Sequence, residues 1–262
     1  MDDPIGFFDS GLGGLTIYRE VRSLLPMEST LYLADHKNFP YGDKSEEEVK
    51  TVTLAGLRWL LGQRVKLIAI ACNSSTVSGI DYYREKFKSV SLVGVVPAVK
   101  TAVSETRTGN IAILSTEKTA KSEYQQKLIT TYAAGKTVYA VGCKDLVGFV
   151  ERGEVGGVDV DRVLRVYLEP LLAKQVDTIV LGCTHYPFLK KAIQAFVGPD
   201  IRVLDCGLPV AHQVKRILTG NNQLANNSSS THAFFTTGDA EQVSKVASKL
   251  MDETMHFSHV DI

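Results

Sequence analysis

The feature that most constrains this chain is the regular alternation of short apolar, β-branched runs with longer helical patterns. PIGFFD, TLYLAD, VKLIAIAC and LVGVVP read as buried strands in the first part, and NIAILST, KTVYAVGC, DTIVLGC and IRVLDC continue the series. Between them lie helical stretches such as SEEEVKTVTLAGLRWLLGQ, where Ser45 followed by Glu48 predicts a capping box. Strands apolar along their whole length have no face to give to water, so helices must cover both sides of their sheet. That is the signature of parallel α/β architecture. The stretch NNQLANNSSST, 221–231, reads as a solvated loop; HAFFTTG, a helix opened by Asp239, and FSHVDI follow it.

The two halves echo each other. Each has one strand ending in a loop rich in alcohols (FFDSGLGG, ILSTEKT) and a later strand ending in cysteine. The expectation is two similar doubly wound α/β domains with mainly parallel sheets and a site in the cleft between them. The first domain comprises 1–97 plus 207–262, because the late segments read as a return to it, and the second comprises 98–206. In such sheets ligands bind beyond the carboxyl ends of the strands, at the switch point of the strand order.

Bulk properties exclude several classes. Lys plus Arg and Asp plus Glu balance at 29 each in 262 residues, which gives no reason to expect nucleic acid or an anionic membrane as partner. No run approaches the roughly 18 apolar residues of a membrane span, and MDDPIGFFDSG does not resemble a signal peptide. Four cysteines without a CxxC pair do not make a disulfide framework in a chain of this length. A cytoplasmic protein with reduced thiols is expected.

The chemistry concentrates in two segments, IAIACNSST around Cys72 and IVLGCTHYP around Cys183. A free cysteine is often only a small buried hydrophobe. These two, however, sit at strand ends and are followed by hydroxyl, amide or imidazole groups. On an extended segment residues two apart share a side, so the Cys183 thiol and the His185 imidazole are expected to face the cleft together. An imidazole there takes the thiol proton or, when charged, favours the thiolate; the plainer alternative is a histidine that merely hydrogen-bonds beside a buried thiol. Zinc competes for Cys72, Cys183 and His185, but structural zinc draws on closely spaced Cys/His pairs, which are absent, so no metal is expected. Cys143 and Cys206 lack such neighbours and read as core. DSGLGG, 9–14, offers glycines for close approach and a helix N-terminus for an anion, or else a plain turn capped by Asp9 or Ser10. PYG, 40–42, reads as a tight turn able to present backbone donors. Ser115, Thr116 and Thr119 cap the next helix or bind a carboxylate.

FDSGLGG, PYG, ACNS, GCTHYPF and the late TTGDAEQ, in this order, closely resemble the signature segments of the bacterial glutamate racemases, in the aspartate/glutamate racemase family. The resemblance runs from Ile5 to Ile262. It implies a cofactor-independent isomerase that interconverts L- and D-glutamate and supplies D-glutamate for peptidoglycan, with a homodimer compatible. It also implies that Cys72 and Cys183 are the acid/base pair, with Asp9 assisting Cys72 and His185 assisting Cys183, which works on the L-isomer. Substrate contacts carry over to Asp9, Ser10, Tyr41, Gly42, Asn73, Ser74, Thr116, Thr184 and His185.

The chain departs from the family pattern in places. Ser74 stands where threonine is usual, keeping the hydroxyl without the methyl. CKDLVGFVERGEVGG lacks the usual proline-rich form, so the resemblance gives Glu151 no secure role. The N-terminal extension of precursor-activated members is expected to be missing. Rival readings are an aspartate racemase or another two-cysteine isomerase of the same fold, a pyridoxal-dependent racemase, and a non-catalytic two-domain protein that closes on a small acid. Aspartate-specific relatives typically carry glutamate at the position of His185.

Overall fold

The computed structural model describes residues 3–226 and 229–262; Asn227 and Ser228, inside the loop expected at 221–231, lie outside the described residues. Ten strands form two sheets. One has six strands, β1 (Ile5–Asp9), β2 (Thr30–Ala34), β3 (Leu67–Ile70), β4 (Ser91–Gly94), β9 (His232–Thr236) and β10 (Phe257–His259), in the order β10-β9-β2-β1-β3-β4. The other has β5 (Asn110–Ser115), β6 (Thr137–Gly142), β7 (Thr178–Leu181) and β8 (Arg202–Leu204), in the order β6-β5-β7-β8. Every strand pair is parallel.

Alternation along β1 explains why both faces need cover. Phe7 packs with Tyr18, Tyr32 and Val214 on one face, and Phe8 packs with Leu57, Leu60 and Ile70 on the other. Both rings are fully buried, each worth roughly 1.5–3 kcal/mol relative to exposure. The first face is covered by α1 (Leu15–Leu24), α10 (Gly207–Gly220) and α11 (Ala240–Met251), and the second by α2 (Glu46–Gly62) and α3 (Asn73–Lys86). Around the smaller sheet, α4 (Val99–Glu105) and α6 (Glu123–Tyr132) lie on one side. The other side carries α7 (Leu146–Glu151), α8 (Val158–Leu172) and α9 (Lys190–Val197). The short α5 (Glu117–Lys121) follows β5.

Local signals account for several boundaries. The Ser45 hydroxyl accepts from the Glu48 N–H while Glu48 accepts from the Ser45 N–H, closing the capping box of α2. Asp239 caps α11 by accepting from Gln242 N–H. In the larger sheet the strand order reverses direction between β1 and β3, and in the smaller between β5 and β7. The loops after these four strands carry the DSGLGG, ACNS, ST and GCTHYP segments.

Candidate active site

One cavity of about 480 Å³ lies at the ends of both sheets and is lined by Asp9, Ser10, Tyr41, Gly42, Cys72, Asn73, Ser74, Thr116, Cys183, Thr184 and His185, every site residue expected from the sequence. Contacts tie its two walls together. Ser74 and Thr116 share a hydroxyl hydrogen bond at 3.1 Å, and the Thr16 hydroxyl donates to the Thr184 carbonyl at 3.0 Å.

Cys72 is the N-cap of α3, just beyond β3, and its thiol donates to Ser10 Oγ at 3.7 Å. Burial, reinforced by the charge of Asp9, pushes this thiol up to about 12. Asp9 closes β1 and accepts from Gly14 N–H at 2.6 Å, so it does cap the turn into α1. Its other oxygen, Oδ1, is buried with no partner among the described residues. Burial raises the Asp9 carboxyl to about 6 against the lowering effects of the His185 charge and the Gly14 hydrogen bond.

Cys183 and His185 differ in backbone from the sequence expectation. β7 stops at Leu181, and Cys183, Thr184 and His185 lie in a turn that enters a 3₁₀ segment, Tyr186–Leu189; His185 itself has helical dihedrals. The shared extended face is therefore incorrect. The turn instead folds the imidazole back, leaving His185 Nδ1 at 3.7 Å from Cys183 Sγ. Tyr186, fully buried, fastens the turn by donating its hydroxyl to the Cys143 and Ser115 carbonyls.

Glu151, at the end of α7, is the residue sequence reasoning set aside. Its Oε1 accepts from His185 Nε2 at 2.6 Å and from Leu12 N–H at 2.7 Å, while Oε2 lies 3.0 Å from His36 Nε2. Burial opposes ionisation of Glu151, but hydrogen bonds from His185 and His36 outweigh it and hold the carboxyl well below its usual range. Burial likewise opposes a charged His185, and the hydrogen bonds and charges of Cys183 and Glu151 outweigh it, raising the imidazole well above its ordinary value. No local pattern announces Glu151, because its partners are 34, 115 and 139 residues away.

The glycines of DSGLGG serve this arrangement. A Cβ on Gly11 would overlap the Glu151 carboxylate, and one on Gly13 would overlap the His185 ring. What they admit closely is protein side chains from the far wall. Tyr41 lies in a 3₁₀ turn, Tyr41–Asp43, and donates its hydroxyl to Asp35 Oδ2 at 2.5 Å, so its ring and backbone are what it offers the cavity. Thr116 caps α5 by accepting from Thr119 N–H, and also lines the cavity. Asn73 donates to the Val95 carbonyl, and its Oδ1 is buried with no partner among the described residues. Cys143 and Cys206 sit in apolar clusters, although Cys143 also touches the cavity. Among the described residues no group of three or more His, Cys, Asp or Glu is placed to hold a metal ion. No helix among them is long and apolar enough to cross a membrane.

With a cavity at the switch points of two parallel sheets, lined by thiol, carboxyl and imidazole groups, the chain falls among the α/β racemases. The chain belongs to the Asp/Glu/hydantoin racemase family, whose model matches residues 13–214. It is 41% identical over 246 residues to a glutamate racemase of Herpetosiphon aurantiacus, covering 94% of this chain and 96% of that one. Among solved structures it resembles a glutamate racemase isoform from Bacillus anthracis, with a TM-score of 0.92 and 30% identity over 99% of this chain and 98% of that one. It also resembles the glutamate racemase of Francisella tularensis in complex with D-glutamate, with a TM-score of 0.87 and 30% identity over 99% and 98% of the two chains.

Proposed function

We propose that this chain interconverts L- and D-glutamate without a cofactor, using Cys72 and Cys183 as an acid/base pair on opposite faces of the substrate Cα. In the cytoplasm it would supply D-glutamate for peptidoglycan. The observation that carries this reading is that two thiols reach one cavity from two different sheets, Cys72 beside Ser10 and Asp9 and Cys183 beside the His185–Glu151 pair. Cys72 is held as a thiol by burial and by Asp9. Cys183 Sγ lies 3.7 Å from Nδ1 of the His185 imidazole, which the hydrogen bonds and charges of Cys183 and Glu151 hold charged against burial.

The α-proton of an amino acid is a very weak acid, and inversion requires its removal on one face and delivery of a proton on the other. A single base would have to cross the substrate plane; two groups need not. The pair must start with one member as base and the other as acid, so it behaves as one coupled unit. Cys183 as base and Cys72 as acid carry L-glutamate to D-glutamate, the direction the family resemblance gives to Cys183. After turnover Cys72 is thiolate, and Asp9 is the group that manages its proton.

Substrate contacts are assigned to Asp9, Ser10, Tyr41, Gly42, Asn73, Ser74, Thr116, Thr184 and His185, with the N-terminus of α3 facing a carboxylate. The two sheets are read as two domains, 1–97 plus 207–262 and 98–206. A polarimetric assay of L-glutamate and L-aspartate side by side tests the reading. Loss of rotation with glutamate at a rate far above that with aspartate is expected; the reverse preference, or no activity on either, contradicts it.

A further inference from the structure

We infer that His36 is a positioning residue for the Cys183 acid/base pair, fixing the Glu151 carboxylate against His185 from the opposite wall of the cleft by donating its Nε2–H to it. The inference rests on the two-thiol reading above. His36 follows β2 and does not line the cavity, so its effect must pass through Glu151.

The contacts on either side of His36 fix its ring and its donor. The β2–β9 register pairs Ala34 with Thr236, which brings the Thr236 hydroxyl to 2.8 Å from His36 Nδ1. Thr236 is fully buried, and its oxygen already accepts from Gly238 N–H at 3.0 Å. The Thr236 hydroxyl and His36 Nδ1 hydrogen-bond each other, which fixes the ring's orientation. Glu151 is held ionised and can only accept, so His36 Nε2 carries a proton and donates it to Glu151 Oε2 at 3.0 Å. Glu151 therefore takes three donors: Leu12 and His185 on one oxygen and His36 on the other.

Without His36, Oε2 becomes a buried oxygen lacking its donor. The carboxylate must then rotate toward water or gain a proton, and each outcome weakens its hold on a charged His185. The titratable groups around this pair are Asp9 from β1, Tyr32 from β2, Cys72 at the start of α3, and Cys183 and His185 after β7. A weaker hold on the charged His185 beside Cys183 moves alkylation of that thiol to higher pH.

The test compares His36→Leu, which removes the donor, with His36→Gln, whose amide can place an N–H near the same point. Turnover and KM for both glutamate isomers are measured, together with the pH dependence of Cys183 alkylation by iodoacetamide, resolved by peptide mass spectrometry in a Cys72→Ser background. His36→Leu should lower kcat about tenfold with KM changed less than about twofold, and should shift the alkylation midpoint upward. His36→Gln should stay within about threefold of the parent. On the unaltered protein, ¹⁵N-histidine NMR should show a proton on His36 Nε2, a readout independent of whether any variant folds.

A folded His36→Leu protein with parental kcat and alkylation profile overturns the inference. So does a folded His36→Gln protein as impaired as His36→Leu, or a His36 ring without a proton on Nε2 in the unaltered protein. An unaltered protein inactive on glutamate whose Cys183 alkylation still shifts in His36→Leu would sink the proposed reaction and leave the His36 role standing.

Discussion

Asp9 is the carboxyl at this site whose ionisation falls inside the working pH range. Raised from its ordinary value to about 6, it is protonated below that pH and charged above it. A step that needs its carboxylate is present above about 6 and is lost as pH falls through 6. The acid limb of kcat/KM should accordingly lie near 6, and Asp9→Asn should remove it while slowing turnover of D-glutamate at least about 10²-fold. A limb that persists at the same pH in Asp9→Asn would assign it to another group. His185→Ala should act on the opposite direction, slowing kcat from L-glutamate by about 10²-fold or more with a smaller loss from D-glutamate. Because the ratio of the two kcat/KM values is fixed by the equilibrium constant, the asymmetry is read in kcat or in primary isotope effects; isotope effects unchanged in both directions would count against the role. At this scale the places of Cys72, Cys183 and His185 on one cavity were readable, since each follows an apolar strand run. The places of Glu151 and His36 beside it were not, because they are set by a pair of hydrogen bonds spanning 34 and 115 residues.

At the scale of elements the strands were the legible part, because a run apolar on both faces can be little else than an interior parallel strand. The capping box of α2 was equally plain. The turn at Cys183 was misread as extended: apolar periodicity ends at Leu181, and the helical backbone that follows is fixed by Tyr186, whose bonds to Cys143 and Ser115 are tertiary. Helix α2 gives a test of how closely the elements pack. Gly56 faces the sheet where a Cβ would overlap the Phe8 ring. Replacing an interior helical glycine by alanine normally gains up to about 1 kcal/mol of helix propensity, whereas overpacking a core costs about 1–3 kcal/mol. The second effect should win, so Gly56→Ala should lower the denaturant midpoint by an amount equivalent to about 1 kcal/mol. A raised midpoint would mean that α2 can move off the sheet freely.

For the whole molecule, the two-sheet plan could be anticipated from the echo between the halves, while the way the halves close on each other could not. The closure is made by Ser74 with Thr116, Thr16 with Thr184, and Glu151 with Leu12 and His36, pairs separated by 42, 168, 139 and 115 residues. Those contacts place one thiol from each sheet on a single cavity, and the central claim is that the two work from opposite faces of the substrate. The most direct measurement is racemisation of L-glutamate in deuterated water, sampled at short times. Two thiols in exchange with solvent but acting on opposite faces predict D-glutamate carrying deuterium at Cα while the remaining L-glutamate stays protiated. Early D-glutamate that retains the original proton, or L-glutamate labelled as fast as product forms, would mean that one base serves both faces and would contradict the account.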